Sequence, residues 1–153
     1  FDAHAHLDVP PPSGRPEGVG GWVVPGVDAG RDANTLQLSG SDPRLYAAAG
    51  LHPWYLPPDE CLGEELASLQ ARVDAGGIVA IGETGLDKGR RAGPRNVQRM
   101  AFRAQLEMAS RAGLPLILHV VRSHGACLEE VGRFDGQLSG MVHDFQGPIE
   151  MIT

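Results

Sequence analysis

The sequence predicts an α/β fold built on a parallel β-sheet. Short apolar runs alternate with polar stretches of helix length, which is typical of successive strand–helix units. The apolar runs are nearly continuous, as in Ile78–Ile81, and this favours parallel strands that are buried on both faces. Each unit takes about 25 residues, so the 153 residues hold about six units.

The elements follow one another in a regular order. The predicted strands are Phe1–Leu7, Gly21–Val27, Leu45–Leu51, Ile78–Leu86, Leu114–Val121 and Gly140–Phe145. The predicted helices are Arg31–Ser39, Pro58–Ala75, Asn96–Ala112 and Gly125–Phe134, with a further helix that begins at Pro148. Gly76 and Gly113 directly follow predicted helices, as C-terminal capping glycines do. The segment Val9–Gly21 holds four prolines and four glycines, which predicts an irregular loop.

A closed barrel of eight such units usually needs about 250 residues. Either the sheet is open, or the 153 residues stop before a barrel closes. We favour the second interpretation, because the last residues after Pro148 have the pattern of a helix that is only beginning.

Composition restricts the class of protein. A length of 153 residues suits one domain, so we expect residues 1–153 to form a single unit. The net charge of -6 excludes a surface that is basic throughout. The apolar run Leu114–Leu118 is much shorter than the roughly 20 residues of a membrane span. Cys61 and Cys127 have no metal-site spacing, and we expect buried reduced thiols in a cytoplasmic protein.

The clearest chemical signal lies at the start of the sequence, where His4 and His6 are separated by one residue. In a strand, such residues point to the same side, so both imidazoles can reach one divalent metal ion. A pair of surface histidines is the alternative. Asp8 follows closely and could orient one imidazole, or it could be a loop residue.

Three further residues stand at the ends of predicted strands. Glu83, His119 and His143 each follow a buried apolar run. The carboxyl ends of parallel strands form the face where ligands bind, so we expect these side chains to meet His4 and His6 there. Imidazole and carboxylate ligands suit Zn, Mn, Fe or Ni, and Mg with fewer nitrogens. Five ligands on four strands predict two ions about 3.5–4 Å apart that Glu83 bridges.

Five segments together resemble the TatD family of metal-dependent deoxyribonucleases. They are Asp2–Asp8 (DAHAHLD), Gly50–Trp54 (GLHPW), Ala80–Asp87 (AIGETGLD), Leu114–His119 (LPLILH) and Gly140–Gly147 (GMVHDFQG). The resemblance covers almost all of the 153 residues, and it implies a TIM (β/α)₈ barrel of the amidohydrolase-like superfamily, with about six of the eight units present.

The resemblance also implies roles for individual residues. His4 and His6 would hold one ion, His119 and His143 the second, and Glu83 would bridge them and act as the catalytic carboxylate. The family carries a further metal-binding Asp in a pattern like Glu-Thr-Asp-x-Pro, and the 153 residues contain no such segment. We therefore expect that Asp beyond Thr153.

Other polar residues allow two interpretations each. His52 could contact a substrate phosphate, or it could orient the Pro-Trp turn that follows it. Arg122 and His124 lie just beyond His119 and could bind a phosphate, or they could be solvated loop residues. The stretch Lys88–Arg103 contains six cations and no acid, which could follow a nucleic-acid backbone or form a solvated helix face.

The predicted function is metal-dependent hydrolysis of phosphodiester bonds, with DNA as the expected partner and no membrane or protein partner implied. Two alternatives remain open at this point. Related barrels hydrolyse amide, lactone or C–N bonds with similar ligands. A metal-binding protein with an incomplete catalytic site is the other alternative.

Overall fold

The computed structural model of the chain describes residues 2–7, 18–148 and 150. Phe1, Asp8, most of the predicted Pro-rich loop and most of the helix predicted from Pro148 onward lie outside the described residues. Within those residues, no helix is long and apolar enough to cross a lipid bilayer.

Strands and helices alternate through the described residues as the sequence predicts. In chain order they are β1 (Trp22–Val24), α1 (Ala29–Ser41), β2 (Leu45–Ala49), α2 (Asp59–Ala75), β3 (Ile78–Asp87), α3 (Arg95–Ala112), β4 (Leu116–Val121), α4 (His124–Val131) and β5 (Gly140–Val142). A short 3-10 helix, Gly132–Phe134, continues directly from α4.

The sheet is parallel, and its spatial order equals its chain order. β1 pairs with β2, β2 with β3, β3 with β4, and β4 with β5. A doubly wound sheet would instead grow in two directions from its first strand. The order is that of a (β/α)₈ barrel, which confirms the predicted fold class.

The first strand, which the sequence predicts over Phe1–Leu7, is shorter in the described residues than predicted. Only Asp2 forms a parallel bridge, with Trp22, although Ala5 also donates its N–H to the carbonyl of Val23 over 3.0 Å. The backbone leaves the strand geometry because the Asp2 carboxylate accepts the N–H of His4, and Leu7 donates its N–H back to Ala5. Residues 2–7 therefore lie along the edge of β1 as an irregular segment.

Two other predicted strands, Gly21–Val27 and Gly140–Phe145, are shorter in the structure than in the sequence analysis. After β1, the carbonyl of Gly26 accepts the N–H of Glu83 over 2.6 Å, and that of Val27 accepts the N–H of His52 over 3.0 Å. After β5, the chain turns at Asp144, which has a φ of 45°. The apolar residues beyond each strand thus belong to loops that support the carboxyl-end face.

Apolar side chains fill both faces of the sheet. Between the sheet and the helices, the core contains large side chains such as Leu62, Phe102 and Leu106, each at most 1% exposed. On the opposite face, one buried residue from each of the first four strands forms a smaller layer: Val23, Ala48, Ala80 and Ile117. The second layer is what the interior of a barrel requires, since inward-facing side chains stack there in layers.

A buried acid joins α3 to α4. Glu130 is fully buried, and its carboxylate accepts bonds from Arg103 over 2.7 and 2.8 Å and from Arg99 over 2.6 Å. The Arg103 hydrogen bond, with further help from Arg99, lowers the pKa of Glu130 to about 2. Two of the six cations in the stretch Lys88–Arg103 therefore form ion pairs with a buried acid of the fold.

Glu130→Gln is expected to reduce the free energy of unfolding by about 1–3 kcal/mol at neutral pH, because it removes a charged acceptor from two arginines. The folded pKa of about 2 lies below the ordinary value of 4.5, so ionised Glu130 stabilises the fold above about pH 4.5. This contribution is lost as the pH falls toward 2. Denaturant unfolding of both proteins across this range measures the difference.

The matched control is Glu129→Gln, which changes an exposed partner of Arg99 and should alter stability little. A stability difference for Glu130→Gln that does not change with pH would contradict the electrostatic explanation.

Candidate metal centre

Glu83 lies at the centre of a ring of five histidines. It is 2% exposed and stands where the pairing of β3 with β4 shifts register, between Ile81 and Thr84. This irregularity lets the Glu83 N–H reach across to Gly26 while the carboxylate stays among the imidazoles. The surrounding histidines are His4, His6, His52, His119 and His143.

Two pairs of imidazole nitrogens face the two oxygens of this carboxylate. The Nε2 atoms of His4 and His6 lie 3.2 Å apart, and they lie 3.6 and 3.4 Å from Oε2 of Glu83. His119 Nδ1 and His143 Nε2 lie 3.1 Å apart, and they lie 3.3 and 2.5 Å from Oε1. The structure thus brings together all five residues predicted as metal ligands.

The spacing within each pair fits coordination of a metal ion. Two nitrogens that each bind one tetrahedral ion at about 2.0–2.1 Å lie about 3.3–3.4 Å apart. The observed separations of 3.2 and 3.1 Å are close to this value. Imidazole nitrogens that face each other and a carboxylate form a donor set that suits a divalent cation.

The charges of the site follow from burial and hydrogen bonding. Burial alone would raise the pKa of Glu83, but hydrogen bonds from the surrounding imidazoles, above all His119 and His143, outweigh it and hold that pKa well below its ordinary value. Burial lowers the pKa of His4 to about 4, so its ring is neutral at pH 7. A buried carboxylate that faces two pairs of imidazole nitrogens is an electrostatic environment that attracts cations.

His52 contacts the turn that follows it and the carboxylate of Glu83. Its Nδ1 accepts the N–H of Trp54 over 3.0 Å, which is the turn-orienting role considered from the sequence. Burial lowers the pKa of His52, and a neutral ring that accepts at Nδ1 carries its proton on Nε2. That proton points toward Oε1 of Glu83, 3.4 Å away. Its binding of a substrate phosphate stays a prediction.

Asp87 is the residue that the sequence analysis missed. Its Oδ2 lies 3.0 Å from His119 Nε2 and accepts the Nε1–H of Trp54 over 2.5 Å, and its Oδ1 accepts the N–H of Gly89. This contact holds the His119 ring in an orientation that directs Nδ1 at Glu83 and His143. The signal was present in the sequence, because Glu83 and Asp87 are four residues apart on one strand and share a side.

Arg122 and His124 line a cleft of about 290 Å³ that opens beside His119 and His143. Arg122 has a φ of 50° where the chain leaves β4, and it makes no ion pair within the described part of the chain. His124 packs its ring against Phe145 at a centroid distance of 5.3 Å. Both residues border the centre as predicted, and their contact with substrate stays a prediction.

Comparison with known proteins identifies relatives of the whole described region. A family model described as "TatD related DNase" matches residues 1–153. A metal-dependent hydrolase, YjjV of Escherichia coli, is 34% identical over 98% of this chain and 61% of its own length. A protein named "3'-5' ssDNA/RNA exonuclease TatD" from Erwinia tasmaniensis is 35% identical over 72% of this chain and 42% of its own length.

Solved structures agree with these sequence matches. The crystal structure of YjjV, a TatD homologue from Escherichia coli, has a TM-score of 0.84 at 35% identity and matches 98% of this chain. A TatD family hydrolase from Entamoeba histolytica has a TM-score of 0.77 at 19% identity and supports the fold alone. The chain spans about three fifths of the length of each.

Asp87→Asn is expected to weaken binding of a divalent ion about 10–100-fold, because the carboxylate that contacts His119 Nε2 and orients this ring loses its charge. Titration calorimetry with Zn²⁺ or Mn²⁺ measures the effect. The control is Asp74→Asn, an exposed carboxylate that bonds only to Gln70. Equal affinity in the Asp87 variant and the parent protein would rule out this orienting role.

Proposed function

Because this chain belongs to the TatD related DNase family, we propose that it is a metal-dependent hydrolase that cleaves phosphodiester bonds in nucleic acid. The arrangement of one buried carboxylate between two imidazole pairs carries the proposal. The names of the related exonucleases support single-stranded DNA or RNA as the substrate class.

The distances support two ions, one for each imidazole pair. His4 and His6 would hold the first, His119 and His143 the second, and Glu83 would contribute one oxygen to each. Divalent ions held there would polarise a phosphoryl oxygen and lower the pKa of a water molecule. His52 would keep the Glu83 carboxylate in place through its Nε2 proton.

Residues next to the centre support a phosphate-bearing substrate. Arg122 lines the cleft beside His119 and His143, and its planar guanidinium can donate two hydrogen bonds to one phosphate group. The cations Lys88, Arg90, Arg91 and Arg95 follow β3 and make no ion pair within the described residues, whereas Arg99 and Arg103 bond to Glu130. A locally basic surface therefore adjoins the centre of an acidic chain.

We also propose a cytoplasmic location. Its support is the state of the two cysteines, which are both free thiols. Cys127 is buried as expected, and burial raises its pKa to about 12, but Cys61 is exposed, contrary to the prediction. Exposed free thiols persist in reducing compartments.

Chelation with EDTA is expected to abolish cleavage of a labelled single-stranded oligodeoxynucleotide, and added Mn²⁺ or Mg²⁺ should restore it. His4→Ala combined with His6→Ala should remove metal from the protein and lower kcat/KM by at least about 10²-fold, because half of the nitrogen donors are lost. Gel electrophoresis of the products and metal analysis of both proteins measure these effects.

The control is Glu129→Gln, an exposed residue of α4 that pairs with Arg99 and should retain full activity. Cleavage that resists EDTA, or full metal content in the double variant, would contradict the proposed site. Turnover of small amides or lactones with none of any phosphodiester would show that the family chemistry acts on a different bond here.

A further inference from the structure

We propose that Trp54 and Tyr55 form a platform on which the unpaired bases of a single-stranded nucleic acid stack beside the metal centre. The substrate class rests on the proposed function, whereas the platform rests on the exposure of the two rings, their hydrogen bonds and the cations beside them. It would hold the strand through its bases, and the metal centre would hold the phosphate to be cleaved.

Both rings are exposed at a place where exposure has no structural explanation. Trp54 is 37% exposed and Tyr55 is 42% exposed, whereas Trp22 is 1% exposed in the core. The Trp54 ring centroid lies 5.6 Å from that of His119 and 5.2 Å from that of His52. Adjacent exposed aromatic residues that border a candidate active site indicate a binding surface.

The platform is held in a fixed position. Trp54 donates Nε1–H to Asp87 over 2.5 Å and its backbone N–H to His52 over 3.0 Å, and Tyr55 donates its N–H to the His52 carbonyl over 3.0 Å. Aromatic rings that are already ordered lose little conformational entropy when a ligand binds. The same bonds tie the platform to His119 through Asp87.

Cations accompany the two rings. The Arg91 guanidinium lies 5.3 Å from the Trp54 ring centroid, and that of Arg31 lies 4.6 Å from the Tyr55 ring centroid. Arg91 has no ion-pair partner in the described part of the chain. Aromatic rings for bases and nearby cations for phosphates are the combination that single-strand binding sites use.

The geometry favours a single strand over a duplex. A base inside a duplex is stacked on both faces and cannot reach a ring on the protein surface without unstacking. Every base has a π-face, so we expect binding to depend weakly on base identity.

Tryptophan fluorescence tests the platform directly. The probe is a short single-stranded phosphorothioate oligodeoxynucleotide, which resists cleavage, with an abasic strand of equal length and a duplex for comparison. We expect quenching by the single strand only. Because Trp22 is buried, the change reports on Trp54. Equal quenching by the abasic strand would overturn the proposal, since phosphate contacts alone would then explain binding.

Variants separate stacking from the hydrogen bond to Asp87. Trp54→Phe keeps a ring but loses Nε1–H, whereas Trp54→Ala loses both. We expect Trp54→Ala to weaken oligonucleotide affinity about 5- to 150-fold, the equivalent of losing about 1–3 kcal/mol of stacking per base, and Trp54→Phe to retain most of the affinity. Fluorescence anisotropy of a dye-labelled oligonucleotide measures both.

Tyr55→Ala supplies a second test, because Tyr55 does not touch Asp87 and its loss should leave His119 oriented. We expect weaker oligonucleotide binding than in Tyr55→Phe, and unchanged binding in the control Tyr46→Ala, which removes a similarly exposed ring on β2. Affinity equal to that of the parent protein in both alanine variants would overturn the platform.

The outcomes distinguish this inference from the proposed function. Metal-dependent cleavage together with full oligonucleotide affinity in the alanine variants would refute the platform and leave the hydrolase intact. Base-dependent quenching in a protein that cleaves no phosphodiester with added Mn²⁺ would refute the hydrolase and leave the platform.

Discussion

The buried carboxylate of Glu83 is the group on which the rest of the centre depends. An isolated anion in the protein interior is costly, and here five imidazoles from four different segments compensate it. Each of these segments must therefore bring its histidine to one point. The loops after β1, β2 and β5 are arranged accordingly, through backbone bonds to Glu83, His52 and His143.

The charge distribution of α3 and its preceding loop follows from a second buried acid. Glu130 binds Arg99 and Arg103 and joins α3 to α4, whereas the cations before the helix have no ion-pair partner in the described residues. The stretch of positive residues Lys88–Arg103 thus has two functions. Its helical half stabilises the packing of two helices, and its loop half supplies positive charge beside the centre.

The sequence predicts the parts of this structure that depend on local periodicity. The strand–helix alternation follows from it, as does the placement of Glu83 and His119 within buried strands and of His143 directly after β5. His4 and His6 come together as predicted, although the segment that carries them is irregular and not a strand. The contact of Trp54 with Asp87 joins a loop residue to the end of β3, 33 residues further along the chain, so no local pattern shows it. β1 ends at residue 24 and β5 at residue 142, earlier than predicted, because the apolar residues that follow them make loop contacts and do not pair in the sheet.

The order of the sheet has a consequence for biosynthesis. Within the described residues, each strand after β1 pairs with the strand that precedes it in the chain, and Asp2 pairs with Trp22 of β1. A nascent chain can therefore pair each new strand as it leaves the ribosome, because the neighbouring strand of the sheet has already been made. His119 and His143 follow Glu83 in the chain, so the ring of imidazoles around this carboxylate is completed only after residue 143 has been made.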